Sequence, residues 1–293
     1  MADNLIQDLI EAGIHFGQRA SNWNPKMAPY IYGKRNQIHI IDIKETVKGL
    51  LIAKKFLTKV VADGKDVCFV GTKRQAKPVI EQHVSDVGMH WVTERWLGGT
   101  LTNHRTIRSR LKRLVELENL IESGEIKNYS KKMESQLLRE KKKIHRNLSG
   151  IRNMASLPGA VVVVDVKREI NALREARKLG IPTVALIDTD GDPDMIDIPI
   201  PGNDDSMRSI DVVIRELCSA IAKGKTMRRE KAQGEDIEDS DKQPAPRKRS
   251  SRAKFRADDS SVPEEAPLPE PETKIPGSDT APEQPVASEP GAG

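Results

Sequence analysis

The chain has 293 residues, a formal net charge of +5 and two cysteines, which is enough length for one medium domain or two small ones to bury a core. No apolar run approaches the roughly 20 residues needed to cross a bilayer and no apolar segment follows a basic start, so secretion and membrane insertion are not expected. Cys68 and Cys218 lie apart in apolar patterns, which excludes a disulfide framework and fits a reducing cytoplasm.

Residues 4–12 carry Leu5, Ile6, Leu9 and Ile10 at helical spacing before Gly13, and predict a short amphipathic helix. An irregular loop is expected next, with His15, Phe16, Gln18, Arg19, Trp23, Asn24, Lys26 and Tyr30. Its aromatics alternate with Arg, Lys and Asn, a mixture that stacks unpaired bases and meets phosphates, or equally pins a long loop to a domain. Residues 30–33 and 37–42 read as two strands around a Lys34-Arg35-Asn36 turn, and Asp42 stands where it would cap a helix over 44–62.

From there strands alternate with helices. Strands are expected at 67–71, 90–92, 161–165, 183–188 and 196–200, with helices at 75–87, 168–179 and 206–223. The run Val161 to Val164 has the apolar density of a central strand covered on both faces. Five such strands fit a doubly wound parallel sheet in the flavodoxin-like order 2-1-3-4-5, an α/β fold of three layers, αβα.

The alternation breaks between Arg95 and Arg105. Gly98 and Gly99 are expected to turn the chain there, with Trp96 as a packing anchor. Beyond, Ile107, Leu111, Leu114, Leu117 and Ile121 step by three and four. Met133, Leu137, Ile144, Leu148 and Ile151 follow at compatible spacings after a polar turn over 124–130. The pattern is an inserted antiparallel coiled-coil helical hairpin, about 103–153, with each helix of roughly 20 residues reaching about 30 Å.

Residues 103–153 carry 14 Lys and Arg against 6 Asp and Glu, a net +8, whereas 225–293 carry 12 against 15, a net −3. The field therefore sits on the arm, and a polyanion, RNA first, is the partner it suits; a solvated coiled coil that docks a protein is the alternative. The folded domain is expected to span 1–224. The Pro-rich, acidic stretch 225–293, which holds a basic island at 247–256, is expected to form a disordered tail.

Catalytic apparatus is not visible. Gly71-Thr72-Lys73-Arg74-Gln75 follows a strand and opens a helix, a geometry that holds a phosphate, but the glycine spacing of a dinucleotide or Walker loop is absent. Asp188 to Asp194 fails as a calcium loop, with Pro193 sixth and Pro199 twelfth, and reads as a strand-end turn with solvated carboxylates. Neither cysteine has a neighbour at metal-ligand spacing.

Several strings resemble the bacterial small-subunit ribosomal protein S2 family: EAGIHFG at 11–17, WNPKM at 23–27, IHIID at 38–42, FVGTKRQA at 69–76, RWLGGTLTN at 95–103, and the stretch from Asp188 to Asp205. The resemblance covers roughly residues 4–224. It departs at Gln18, where a histidine is usual, and at Gly191, where a cysteine is usual. The resemblance implies a structural, non-enzymatic constituent of the cytoplasmic small ribosomal subunit. Such a protein binds small-subunit rRNA near the head–body junction and supports docking of the mRNA-binding protein S1. Gln18 weakens a metal site built on that loop, and no cofactor, metal, DNA partner or membrane is expected. A flavodoxin-like phosphate-binding enzyme is the alternative. The expected RNA contacts are Arg19, Trp23 and Lys26 in the loop, Lys73 and Arg74 at the strand end, Arg95 and Asn103 at the joint, and Arg105, Arg108, Arg110 and Lys112 on the arm.

Overall fold

A computed structural model describes residues 2–240. Helix α1 (Ala2–Glu11) leads into β1 (Phe16–Arg19), a 3-10 turn at Pro25–Tyr30, and the strands β2 (Ile31–Arg35) and β3 (Ile38–Ile41). These strands form a small antiparallel sheet in the order β1-β3-β2, so the segment expected as an irregular loop contributes a strand of its own. Four residues with an irregular register against β3 are too few to show alternation in sequence. The β2–β3 turn falls on Asn36 and Gln37, both at positive φ, one residue later than the sequence suggests.

Helix α2 (Ile43–Ala62) starts where Asp42 accepts the Lys44 N–H at 2.9 Å, the cap expected of it. Then come β4 (Val67–Val70), α3 (Ala76–Asp86), β5 (His90–Val92), the arm helices α4 (His104–Glu122) and α5 (Lys131–Leu148), and β6 (Ala160–Val164). The chain continues through α6 (Ile170–Lys178), β7 (Thr183–Ile187), β8 (Ile198–Pro201) and α7 (Met207–Ser240).

The main sheet is parallel with order β5-β4-β6-β7-β8, which numbers the five strands 2-1-3-4-5 as the alternation predicts. Every residue of β4, β6 and β7 is buried, as strands covered on both faces require. Side chains alternate between two cores. Phe69, Val162 and Val184 join Leu50, Leu57, Ile80 and Ile214 beneath α2, α3 and α7, while Val70, Val161, Val163 and Ala185 join Leu173 of α6 on the opposite side. That second core also takes in Trp96, Ile107, Leu111, Leu148 and Ile151, so the root of the arm is built into the domain. A 3-10 turn at Ser149–Ile151 brings the returning arm against β5; a Cβ on Gly150 would lie 2.2 Å from the Trp91 carbonyl oxygen. At the other edge, β8 carries Pro199 and Pro201, tolerable only where a strand lacks a second partner.

Helix α7 corrects one expectation. It passes straight through Gly224, where composition placed the end of the folded part. Glycine serves close approach there, since a Cβ would lie 2.7 Å from the Thr58 carbonyl oxygen of α2. One residue on, the Lys225 ammonium donates to the carbonyls of Val87 and Gly88, just beyond α3. The rest of the expected tail, 241–293, lies outside the described residues.

Candidate nucleic-acid interface

The arm leaves the sheet through a loop organised by one carboxylate. Glu175, on α6, accepts the Trp96 indole N–H at 3.0 Å, the backbone N–H of Gly99 at 2.8 Å, Leu101 at 3.0 Å and Thr102 at 3.2 Å, and the Thr102 hydroxyl at 3.3 Å. Burial pushes its pKa up, but these donors outweigh burial and hold the carboxyl below the usual range. Trp96 is buried, an anchor as expected. Of the glycine pair only Gly99 has positive φ, +90°; Gly98 has open space around it and is not required by the turn.

Along the arm, Ile107, Leu111, Leu114 and Leu117 form the buried stripe of α4, and Ser130 caps α5. The root is tied further by Arg152, whose guanidinium meets Glu118 at 2.8 Å, and by Arg113, which reaches Glu116 at 3.2 Å and Glu140 of α5 at 3.6 Å. Of the expected contacts, Arg105, Arg108 and Lys112 come together. They line a groove of about 920 Å³ between the first turns of α4 and the segment after α5. Among the described residues none of the three has an acidic partner within 4.0 Å. Arg110 is exposed outside this groove, and the Asn103 side chain bonds the Thr106 hydroxyl at 2.9 Å.

A second cationic face lies on α5, outside the contacts expected from the sequence. Arg139, Lys142, Lys143 and Arg146 of α5 line a shallow depression of about 200 Å³, all four exposed. Their spacing of three and four marks one helix side, and that signal was available in the sequence.

The remaining expected contacts are spread over the domain. Arg19, Arg74 and Arg95 are exposed, and Trp23 lies with its ring centroid 5.2 Å from that of buried His39. Lys26 is held by Asp194 at 2.5 Å and Asp192 at 3.1 Å, and these hydrogen-bonded carboxylates raise its pKa.

Lys73 is buried rather than offered to a phosphate. Its ammonium lies 2.7 Å from Asp204, 2.6 Å from Asp205 and 3.6 Å from Asp165. Burial lowers its pKa, and the three carboxylates overcome that and raise it. Burial together with Asp165 and Asp188 pushes Asp204 up to about 8 against the pull of Lys73. Asp188 is buried too, contrary to the solvated turn expected, and burial pushes it up to about 6. Oxygens of Asp188, Asp204 and Asp205 lie within 4.8 Å of one another, close enough to share a cation, but the Lys73 ammonium already supplies positive charge at that point. Gln18 closes the cluster, donating its side-chain N–H to Asp205 at 2.5 Å and its backbone N–H to Asp188 at 3.1 Å. The neighbouring crevice outside β4 and β6 is bridged as well: Glu169 accepts from the Thr72 backbone at 3.0 Å and from its hydroxyl, to which Arg168 also donates. Cys68 and Cys218 are buried thiols pushed up to about 12, unsuited to nucleophilic chemistry.

The fold and its root-anchored insertion define a flavodoxin-like α/β protein bearing a cationic helical arm. The family model described as ribosomal protein S2 matches residues 9–224. Small ribosomal subunit protein uS2 of Rhodopirellula baltica is 59% identical over 225 residues, 77% of this chain and 86% of that protein. The uS2 protein of Syntrophobacter fumaroxidans is 48% identical over 225 residues, 77% of this chain and 82% of that protein, and the uS2c protein of Rhodomonas salina is 49% identical over 224 residues, 76% and 92%. The chain belongs to the ribosomal protein S2 family.

Proposed function

We propose that this chain is a non-enzymatic, structural constituent of the small ribosomal subunit, working in the cytoplasm as part of the ribosome. It binds small-subunit rRNA near the head–body junction and supports docking of S1 beside neighbouring ribosomal proteins. The observation that carries the RNA reading is the groove of Arg105, Arg108 and Lys112, cationic side chains with no acidic partner among the described residues. Such side chains meet phosphates, which fix position rather than read sequence. The names of the relatives and the strings shared with the family support the ribosomal setting. Arg19, Trp23, Arg74 and Arg95, spread over the domain, and Asn103 and Arg110 on the arm are secondary RNA contacts, while exposed Lys26 and buried Lys73 are both held by carboxylates.

Sedimentation of a lysate through a gradient, with and without RNase, tests the proposal. The chain should travel with the small subunit and move to the top of the gradient after RNase. A chain that stays at the top in both conditions overturns it.

A further inference from the structure

The arm carries two cationic surfaces, and their geometry points them apart. At about 100° per residue, Arg105, Arg108 and Lys112 lie roughly 120–180° around α4 from Leu114, at the centre of its buried stripe. On α5, Arg139, Lys142, Lys143 and Arg146 lie roughly 100–160° from Ile144, which packs against the core beside Leu148. Each set therefore faces away from the partner helix. With axes about 8–10 Å apart and helices about 10–12 Å thick, the two faces are separated by roughly 20 Å.

On these grounds we infer that the arm is a two-sided bridge, its α4 groove and its α5 face each holding a separate segment of RNA backbone. The inference rests on the RNA reading above and adds the second contact and the simultaneous occupancy. On the α5 face, Arg139, Lys142 and Lys143 have no acidic partner within 4.0 Å among the described residues; Arg146 alone approaches one, Glu94 at 3.8 Å. The four side chains lining that depression are all cationic; the exposed Leu138, one turn before Lys142, is not among them. A protein partner needs aromatic or aliphatic anchors at the centre of its interface, whereas phosphates need only charge at helical spacing. RNA is the occupant this surface fits.

A capture assay on the full-length chain tests the bridge. One short RNA duplex is fixed to beads and a second, fluorescent and unrelated in sequence, is free in solution. The unaltered chain should retain fluorescence on the beads. Changing Arg105, Arg108 and Lys112 to Gln, or Arg139, Lys142 and Lys143 to Gln, should leave single-duplex binding with a salt slope lowered by roughly 2 to 3 units and reduce capture to background. Combining the two sets should abolish arm binding. The charge-preserving exchange Arg139→Lys with Lys142→Arg should keep capture, and circular dichroism checks helicity in every variant.

Capture that persists in either triple variant, or that is absent when the unaltered chain binds single duplexes, overturns the bridge. An unchanged salt slope on neutralising the α5 set also overturns it and leaves that face without a phosphate contact. Failure of the unaltered chain to bind any RNA duplex sinks the underlying RNA reading instead, a result separable from all of these.

Discussion

The carboxylate of Glu175 receives the indole N–H of Trp96 at 3.0 Å across 79 positions of sequence, and so joins α6 to the loop that launches the arm. Both groups are held in the core on the arm side of the sheet or at its margin, and the same carboxylate collects three backbone N–H groups of that loop. A charged acceptor with converging donors is the stronger kind of hydrogen-bond junction.

Glu175→Gln should therefore lower stability by about 1–3 kcal/mol, because an amide offers one acceptor oxygen and presents N–H to the remaining donors. The folded pKa of Glu175 is depressed, so its contribution is present above the unfolded carboxylate range and lost as pH falls through the folded value. Urea unfolding followed by tryptophan fluorescence at pH 7 and pH 4 should show the gap between the two proteins narrowing in acid. Equal stability at pH 7 would remove Glu175 from its organising role.

The two glycines beside Trp96 should behave differently. Gly99→Ala places a side chain at φ +90° with a Cβ 3.2 Å from that of Asn103 and should cost about 1–2 kcal/mol, whereas Gly98→Ala meets open space and should cost less than about 0.5 kcal/mol. Chemical denaturation of the two single variants measures the difference. Matching costs would show that the turn does not depend on left-handed backbone at 99.

Asp188 carries the opposite pH signature to Glu175. Its pKa is raised in the folded state, so it favours folding at low pH and that contribution is lost as pH rises from its unfolded value through about 6. Asp188→Asn keeps an acceptor oxygen for Gln18 and Thr189 and removes the titration. The stability of the variant relative to the unaltered chain should rise by up to about 3 kcal/mol between pH 4 and pH 7. A pH-independent difference would show that the carboxyl does not titrate in this range.

Truncation after Gly224 should lower the melting temperature, because it removes Lys225 from the carbonyls of Val87 and Gly88 and shortens the helix seated against α2. Lys225→Met in the full chain should reproduce part of the loss. An unchanged melting temperature in the truncated chain would return the domain boundary to the position composition suggests.

Particular residues mark what a sequence exposes and what it hides. Val161 to Val164 announces a central strand because burial on both faces demands an apolar run, and the Asp42 cap is local in the chain. The arm is legible for the same reason: its stripe is periodic and its charge is concentrated. Lys73 misleads because its neighbours in sequence show only a basic residue after a strand, while the carboxylate that claims it, Asp204, stands 131 positions away. Glu175 is silent for a related reason: on the polar face of α6 it looks like any solvated helix glutamate. Gly224 carries a true signal of close packing that composition alone reads as a helix stop.

The approach of Gly150 to the Trp91 carbonyl has a consequence for the chain before it meets any partner. β5 is the outer strand of the main sheet, and an uncovered outer strand is a template on which other chains add and precipitate. The returning arm seals that margin and the two prolines of β8 blunt the opposite one. The same insertion that reaches outward also covers the strand edge on which a second chain would otherwise add.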